Sequence, residues 1–172
     1  MVMIGAALVI LVIILAVIVN SIAGSKSGPI EHLAARLAAT ELVATNAQIN
    51  LKSSNLRSVN SNLKLYMTNT NRDISAPLLE VGVNTTKLSK TITTSESTDA
   101  LSARLEDARL NGTFDDTYSR EMAYQLGTTM TLMNQIYKST GNADLKAFLK
   151  SAYTNLQPTQ ASFANYSSAS DN

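Results

Sequence analysis

The first nineteen residues, Met1 to Val19, hold no charge and no strongly polar side chain, and only Gly5 among them is not hydrophobic. At about 1.5 Å per helical residue such a run spans roughly 28 Å, close to the hydrocarbon thickness of a bilayer. Ile, Val and Leu dominate from Leu8 to Val19. β-Branched residues are mediocre helix formers in water. In lipid that matters little, because a helix bonds every backbone polar group internally. The run predicts a transmembrane anchor over residues 1–23, meeting the lipid bilayer through residues 1–22. Gly5, Ala6 and Ala7 form a small patch without a GxxxG pattern, a weak signal for helix pairing.

Two other readings compete. Ser21-Ile22-Ala23, followed by Gly24, offers the small residues of a signal-peptide cleavage site. A signal peptide, however, has a shorter apolar region and a basic segment before it, which is missing. A pilin-like helix, packed in a filament core, would carry an acidic residue near its start, and none is present. A retained anchor is therefore the expectation. Lys26 is the only basic residue close to the span, so the positive-inside rule says little. A lone leading span ahead of a polar domain predicts that the domain lies outside the cytoplasm, at the cell surface or in the periplasm.

After the anchor about 150 residues remain, which suits one domain with a single core. The chain has 14 Lys+Arg against 13 Asp+Glu, a net charge of +1, and the two signs are interspersed. No basic stripe exists, which speaks against nucleic acid as a partner. With no cysteine there is no disulfide framework, thiol nucleophile or cysteine metal site.

Ser25 to Gly28 reads as a short linker within residues 24–28, and Pro29 suits a first helical turn. Ile30, Leu33, Leu37, Ala44, Ala47 and Leu51 then recur at helical spacing, predicting a helix over Pro29–Leu51. Ser53, Ser54 and Asn55 interrupt it and can cap a second helix, Ser54–Ile74, whose stripe is Leu56, Val59, Leu63, Tyr66 and Met67. One unbroken helix from Pro29 to Ile74 is the alternative, since the break contains no Gly or Pro. Pro77 kinks or restarts the second helix and carries it to about Val81. Gly82 to Thr98, rich in Thr and Ser, reads mostly as loop with a turn near Leu88.

Asp99–Leu110 is a short helix facing inward through Leu101 and Leu105, ended by Asn111-Gly112. Thr113 can cap the next helix, with Asp115 and Asp116 favouring its positive end. That helix runs to about Thr140 and buries Phe114, Tyr118, Met122, Leu126, Met133, Ile136 and Tyr137. Asn142 caps a last helix holding Leu145, Phe148, Leu149, Ala152, Leu156 and Phe163, which Pro158 should bend. The tail over 167–172 is polar. The reading is all-α: a transmembrane helix, then an antiparallel four-helix bundle over 29–166, with a short extra helix before the third long one.

Phe114-Asp115-Asp116-Thr117-Tyr118, Met122 four residues on, Asn142-Ala143-Asp144-Leu145-Lys146 and a helix containing Leu156 follow in a recognisable order. The chain resembles the exported, ferritin-like four-helix domains of unknown function found in many bacteria. The resemblance covers roughly residues 29–166, and its specific part is Phe114 to Leu156. It implies the fold and an exported location. Such domains usually place histidines on the second, third and fourth helices; the corresponding positions here fall near Thr70, Gln125 and Gln160. The resemblance therefore argues against a metal function.

The residues themselves agree. A di-iron bundle needs about four carboxylates and two Glu-x-x-His patterns. His32 is the only histidine, adjacent to Glu31 and so about 100° away on a helix, while Glu41, Glu80, Glu106 and Glu121 are scattered. His32 reads as a membrane-proximal surface residue. There is no Gly-x-Ser-x-Gly and no Gly-rich phosphate loop. Asp115 and Asp116 read as helix-end charge compensation and not as an acid/base pair. Tyr118, Met122, Met130, Met133 and Tyr137 read as core, with an apolar ligand pocket as the competing idea. Gln125, Thr128, Thr129 and Asn134 interrupt that face and could fix helix register or meet a partner. Three Asn-x-Ser/Thr matches, at Asn84, Asn111 and Asn165, are expected by chance in so polar a chain.

The expectation is a membrane-anchored extracytoplasmic bundle with a structural or binding role, no catalysis, no cofactor and no metal. Its protein partner or self-association is open. A metal-binding ferritin-like protein and a filament or envelope-assembly subunit are the alternatives.

Overall fold

A computed structural model describes residues 28–170, with side chains to residue 166. The expected anchor over 1–23 and all but the last residue of the expected linker lie outside the described residues. Among the described residues every regular element is an α-helix. None of these helices is long and apolar enough to cross a membrane.

Helix α1, Gly28–Ala47, starts one residue earlier than expected and stops four residues sooner. Its stripe is as read from the sequence: Ile30, Leu33, Leu37, Ala44 and Ala47 are buried, with Leu51 just beyond the helix. A turn over Gln48–Asn50 separates it from α2, Ser54–Asp73, which excludes one continuous helix. The Ser53 hydroxyl accepts from the Leu56 N–H, the expected capping role. Leu56, Leu63 and Met67 are buried on α2, while Val59 and Tyr66 pack at the edge of the core.

Helix α3, Ser75–Glu80, follows Ile74 directly. Pro77 has no N–H to offer Asp73, so the α2 ladder is interrupted there and restarts. Gly82 ends α3 with φ +82°, and the Val83 N–H bonds back to Leu78 O at 2.9 Å. Helix α5, Asp99–Leu110, ends the same way: Gly112 has φ +76° and the Thr113 N–H reaches Ala108 O at 2.9 Å. A left-handed residue at the second of these stops is what Asn111-Gly112 led one to expect.

The stretch expected to be mostly loop contains a six-residue helix, α4, Lys90–Ser95. Ser89 caps it by accepting from the Ile92 N–H. The long connection from α3 therefore crosses as two helices, α4 packed on α1 and α5 packed on the next long helix, α6.

Helix α6, Phe114–Ser139, and helix α7, Ala143–Ser170, share the most extensive helix contact among the described residues. Asn142 joins them and caps α7, its Oδ1 accepting from the Leu145 N–H at 2.7 Å. Helix α7 passes through Pro158 without interruption and continues four residues into the expected polar tail. Helix α1 packs on α2 and α6, and α7 packs on α6 and α2. The start of α6 meets the end of α1, where Phe114 and Ala47 line one depression, so the two helices run in opposite directions. The core is continuous through all four long helices and α5. Fully burying a Leu such as Leu33, Leu63 or Leu156 contributes about 1.5–3 kcal/mol.

Candidate functional site

The interior is mostly apolar, so its polar groups are informative. Asn60 is fully buried on α2. Its Nδ2 donates to Ala44 O at 2.8 Å and to Gln48 Oε1 at 2.6 Å, both from the α1 end of the chain. Its Oδ1 accepts from the Tyr118 hydroxyl on α6. The Tyr118 ring stacks on Phe114 at 6.0 Å and meets Phe163 of α7 edge-on at 5.7 Å. One polar pin and its aromatic sleeve thus touch all four long helices. Burial pushes the Tyr118 phenol far above its ordinary value, so it stays a protonated donor.

A second cluster lies where α4 meets α1. Arg36 donates through Nε to Glu96 Oε2 at 2.8 Å and through Nη2 to Glu96 Oε1 at 2.9 Å. His32 Nδ1 lies 2.9 Å from the same Oε1. The three side chains are only 10–16% exposed. His32 is therefore not the surface residue expected. It sits on the α1 face that the crossing segment covers, one turn before Arg36. Both Glu96 oxygens are occupied, so the carboxylate ties the crossing segment to α1.

Beside this cluster a cleft of about 190 Å³ opens between α1, the α4–α5 junction and α6. Arg36 and Glu96 form one wall, Thr40, Thr98 and Thr128 add hydroxyls, and Gln125 and Tyr124 close the α6 side. A larger groove of about 320 Å³ runs between α6 and α7, lined by Met133, Tyr137, Leu149 and Tyr153. Lys146 lies 5.7 Å over the Tyr137 ring at its edge.

The remaining candidates separate. Tyr118, Met122, Met130 and Met133 are core, as expected, but Tyr137 is 39% exposed and belongs to the groove. Of the four polar residues interrupting that face, only Thr129 is buried, and its hydroxyl bonds within its own helix to Gln125 O. Asn134 is exposed and Gln125 and Thr128 are half-buried at the cleft, so they do not link helices. The buried polar link between helices is made by Asn60 instead, hidden among the many Asn and Ser of α2. Asp115 does more than compensate a helix end. Its carboxylate accepts from the Ser53 N–H at 2.7 Å and the Lys52 N–H at 3.0 Å, tying the α1–α2 turn to α6. Thr113 makes no side-chain cap.

Each scattered glutamate has its own partner. Glu41 meets Thr68 and Asn71, Glu80 meets Asn142, Glu106 meets Arg109, and Glu121 meets Arg104. Gln125 faces the cleft, Gln160 reaches Ala123 O at 3.3 Å, and Thr70 is buried on α2. Among the described residues no group of three or more His, Asp or Glu is placed to hold a metal ion. Comparison with known proteins returned no match to a family model, a curated protein or a solved structure.

Proposed function

We propose that the chain is a membrane-anchored, extracytoplasmic four-helix bundle of ferritin-like topology with a structural or binding role and no catalysis. Residues 1–22 meet the bilayer, and the helical body stands outside the cytoplasm. The topology is supported by the pairings of α1 with α2 and α6, and of α7 with α6 and α2, with the long connection crossing between the two halves.

One observation carries the functional reading. Among the described residues no buried side-chain nitrogen or oxygen lacks a hydrogen-bond partner. The interior polar groups, Asn60 and Tyr118 foremost, are spent on holding helices together. Recognition on this reading belongs to the outer surface, where the α6–α7 groove with Tyr137 and Tyr153 offers an apolar feature.

Protease treatment of cells whose outer barriers are opened while the cytoplasmic membrane stays sealed tests the location. The expected result is loss of the body, with a short N-terminal fragment left in the membrane fraction. Full-length chain recovered from the cytosol, or a body still protected when other extracytoplasmic proteins are digested, overturns the reading.

A further inference from the structure

We propose that the end of the body where α1 begins rests on the bilayer surface, with Leu79 and Val81 set into the boundary between headgroups and acyl chains. The inference rests on the membrane-anchor reading and adds to it a docking face.

Three parts of the chain meet at that end. Pro29 and Ile30 open α1, Val81 follows α3, Ile136 lies in the last turn of α6, and Thr140 and Gly141 belong to the α6–α7 turn. Together they line a hollow of about 680 Å³. Its floor is apolar, since Ile30 and Ile136 are 7% and 1% exposed. Val81 lines the hollow half-buried, and Leu79, two residues before it in the chain, is an exposed apolar side chain at 58%. Between them Glu80 accepts from Asn142 Nδ2 at 2.9 Å, which holds this rim against the α6–α7 connection. An apolar rim so placed is presented by a fixed backbone and does not depend on a loop closing.

Chain length says what covers it. Only residues 20–27 separate the apolar run ending at Val19 from Gly28. Fully extended, eight residues reach at most about 29 Å. The α1 start is therefore confined near the membrane, and the hollow is lined by Pro29 and Ile30 of that same start. The opposite end lies a further 20-residue helix away, roughly 30 Å. Ile49 and Leu110 are exposed there, at 88% and 70%, but beyond the reach of an upright body. The near end carries both charge signs, Glu31, Glu80 and Asp144 against Lys138 and Lys146. Contact accordingly depends on apolar insertion and not on anionic lipid.

The chain has no Trp, so a single introduced Trp reports one site. Leu79→Trp and Ile49→Trp, each in the full chain, are reconstituted into phosphatidylcholine vesicles with plain or brominated acyl chains. Both positions are exposed, so neither substitution disturbs the core. For a residue about 5–10 Å inside the interface, Leu79→Trp emission shifts to the blue and falls roughly twofold on brominated lipid. Ile49→Trp stays unshifted and unquenched. Chains that float with the vesicles but leave Leu79→Trp unquenched and open to iodide overturn the docking face and leave the anchor standing. Leu79→Trp shielded from iodide yet untouched by bromine also overturns it, since a second copy or residues 20–27 then cover the hollow. Quenching at both sites means a body lying flat, which contradicts the upright geometry. Failure to float removes the anchor, and the docking face with it.

Discussion

Tyr118→Phe deletes one oxygen from the most enclosed polar contact between helices. The phenol is fully buried and donates to Asn60 Oδ1, whose amide nitrogen is already committed to Ala44 O and Gln48 Oε1. Phe keeps the ring, and with it the contacts to Phe114 and Phe163. The loss is therefore one bond and a dry acceptor, about 1–3 kcal/mol. Asn60→Leu is the harsher single change, because it strips partners from both the Tyr118 hydroxyl and the Ala44 carbonyl, about 2–4 kcal/mol. The double variant removes donor and acceptor together and replaces them with apolar groups of similar size. Its cost falls below the sum of the singles by about 1–2 kcal/mol. Urea unfolding of the full chain at neutral pH, followed by circular dichroism on wild type and the three variants, reads these values directly. Additivity within about 0.3–0.5 kcal/mol would mean the two residues do not share a bond, and the interior pin would be refuted.

Glu96→Ala leaves Arg36, whose side chain is 10% exposed, without either of its charge-assisted bonds. The expected cost is about 2–4 kcal/mol, below that of a fully enclosed pair because solvent reaches the cluster. Hydrogen exchange should rise over residues 84–98 and not in α7; unchanged exchange there contradicts the tether. Gly112→Ala meets no neighbour within 4 Å, so its cost is the left-handed backbone alone, about 1–2 kcal/mol at φ +76°. An unaltered melting temperature would mean the turn relaxes freely. Alkaline titration tests the Tyr118 environment, because the folded phenol titrates above its ordinary 10.0. Its contribution is intact below the unfolded value and is lost as pH rises beyond it, by about 1.4 kcal/mol per pH unit for one proton. Tyr118→Phe should flatten that decline in the urea midpoint.

The apolar stripes were legible because a helical period repeats over many residues. Leu33 with Leu37, Leu56 with Leu63, and Leu145 with Leu149 all lie inward as their spacing requires. The stops at Gly112 and the cap at Asn142 were legible because each is decided within a few residues of chain. Helix α4 was not, since six residues hold less than two periods of any pattern. Asn60 was invisible among Asn55, Asn62, Asn69 and Asn71, because only its neighbours in space distinguish it. Glu96 did leave a trace: it is the only charge between Lys90 and Asp99, in a run of Ser and Thr. A lone carboxylate there, with His32 and Arg36 one turn apart among the apolar residues of α1, could have suggested a pairing. Tyr137 misled because it keeps the α6 spacing, four residues after Met133, yet lies at the edge of that face in the open groove between α6 and α7.

The composition of α1 explains why polar contacts carry so much of the helix arrangement. Ala34, Ala35, Ala44 and Ala47 let neighbouring helices approach closely, but small side chains interlock weakly and one turn resembles the next. Directional bonds remove that ambiguity. Asn60 reads one carbonyl, at Ala44, while Asn71 and Thr68 both read Glu41 three residues before it. Sliding α2 by one turn would leave a buried amide facing apolar surface, at about 1–3 kcal/mol for each lost partner. Arg36 and Glu96 do the same for the crossing segment, and Asp115 for the α1–α2 turn. The polar side chains that a sequence reader would inspect for chemistry are thus engaged in setting the relative positions of helices. On the proposed reading this is why binding falls to the surfaces that the arrangement leaves open: the α6–α7 groove and the apolar rim at Leu79.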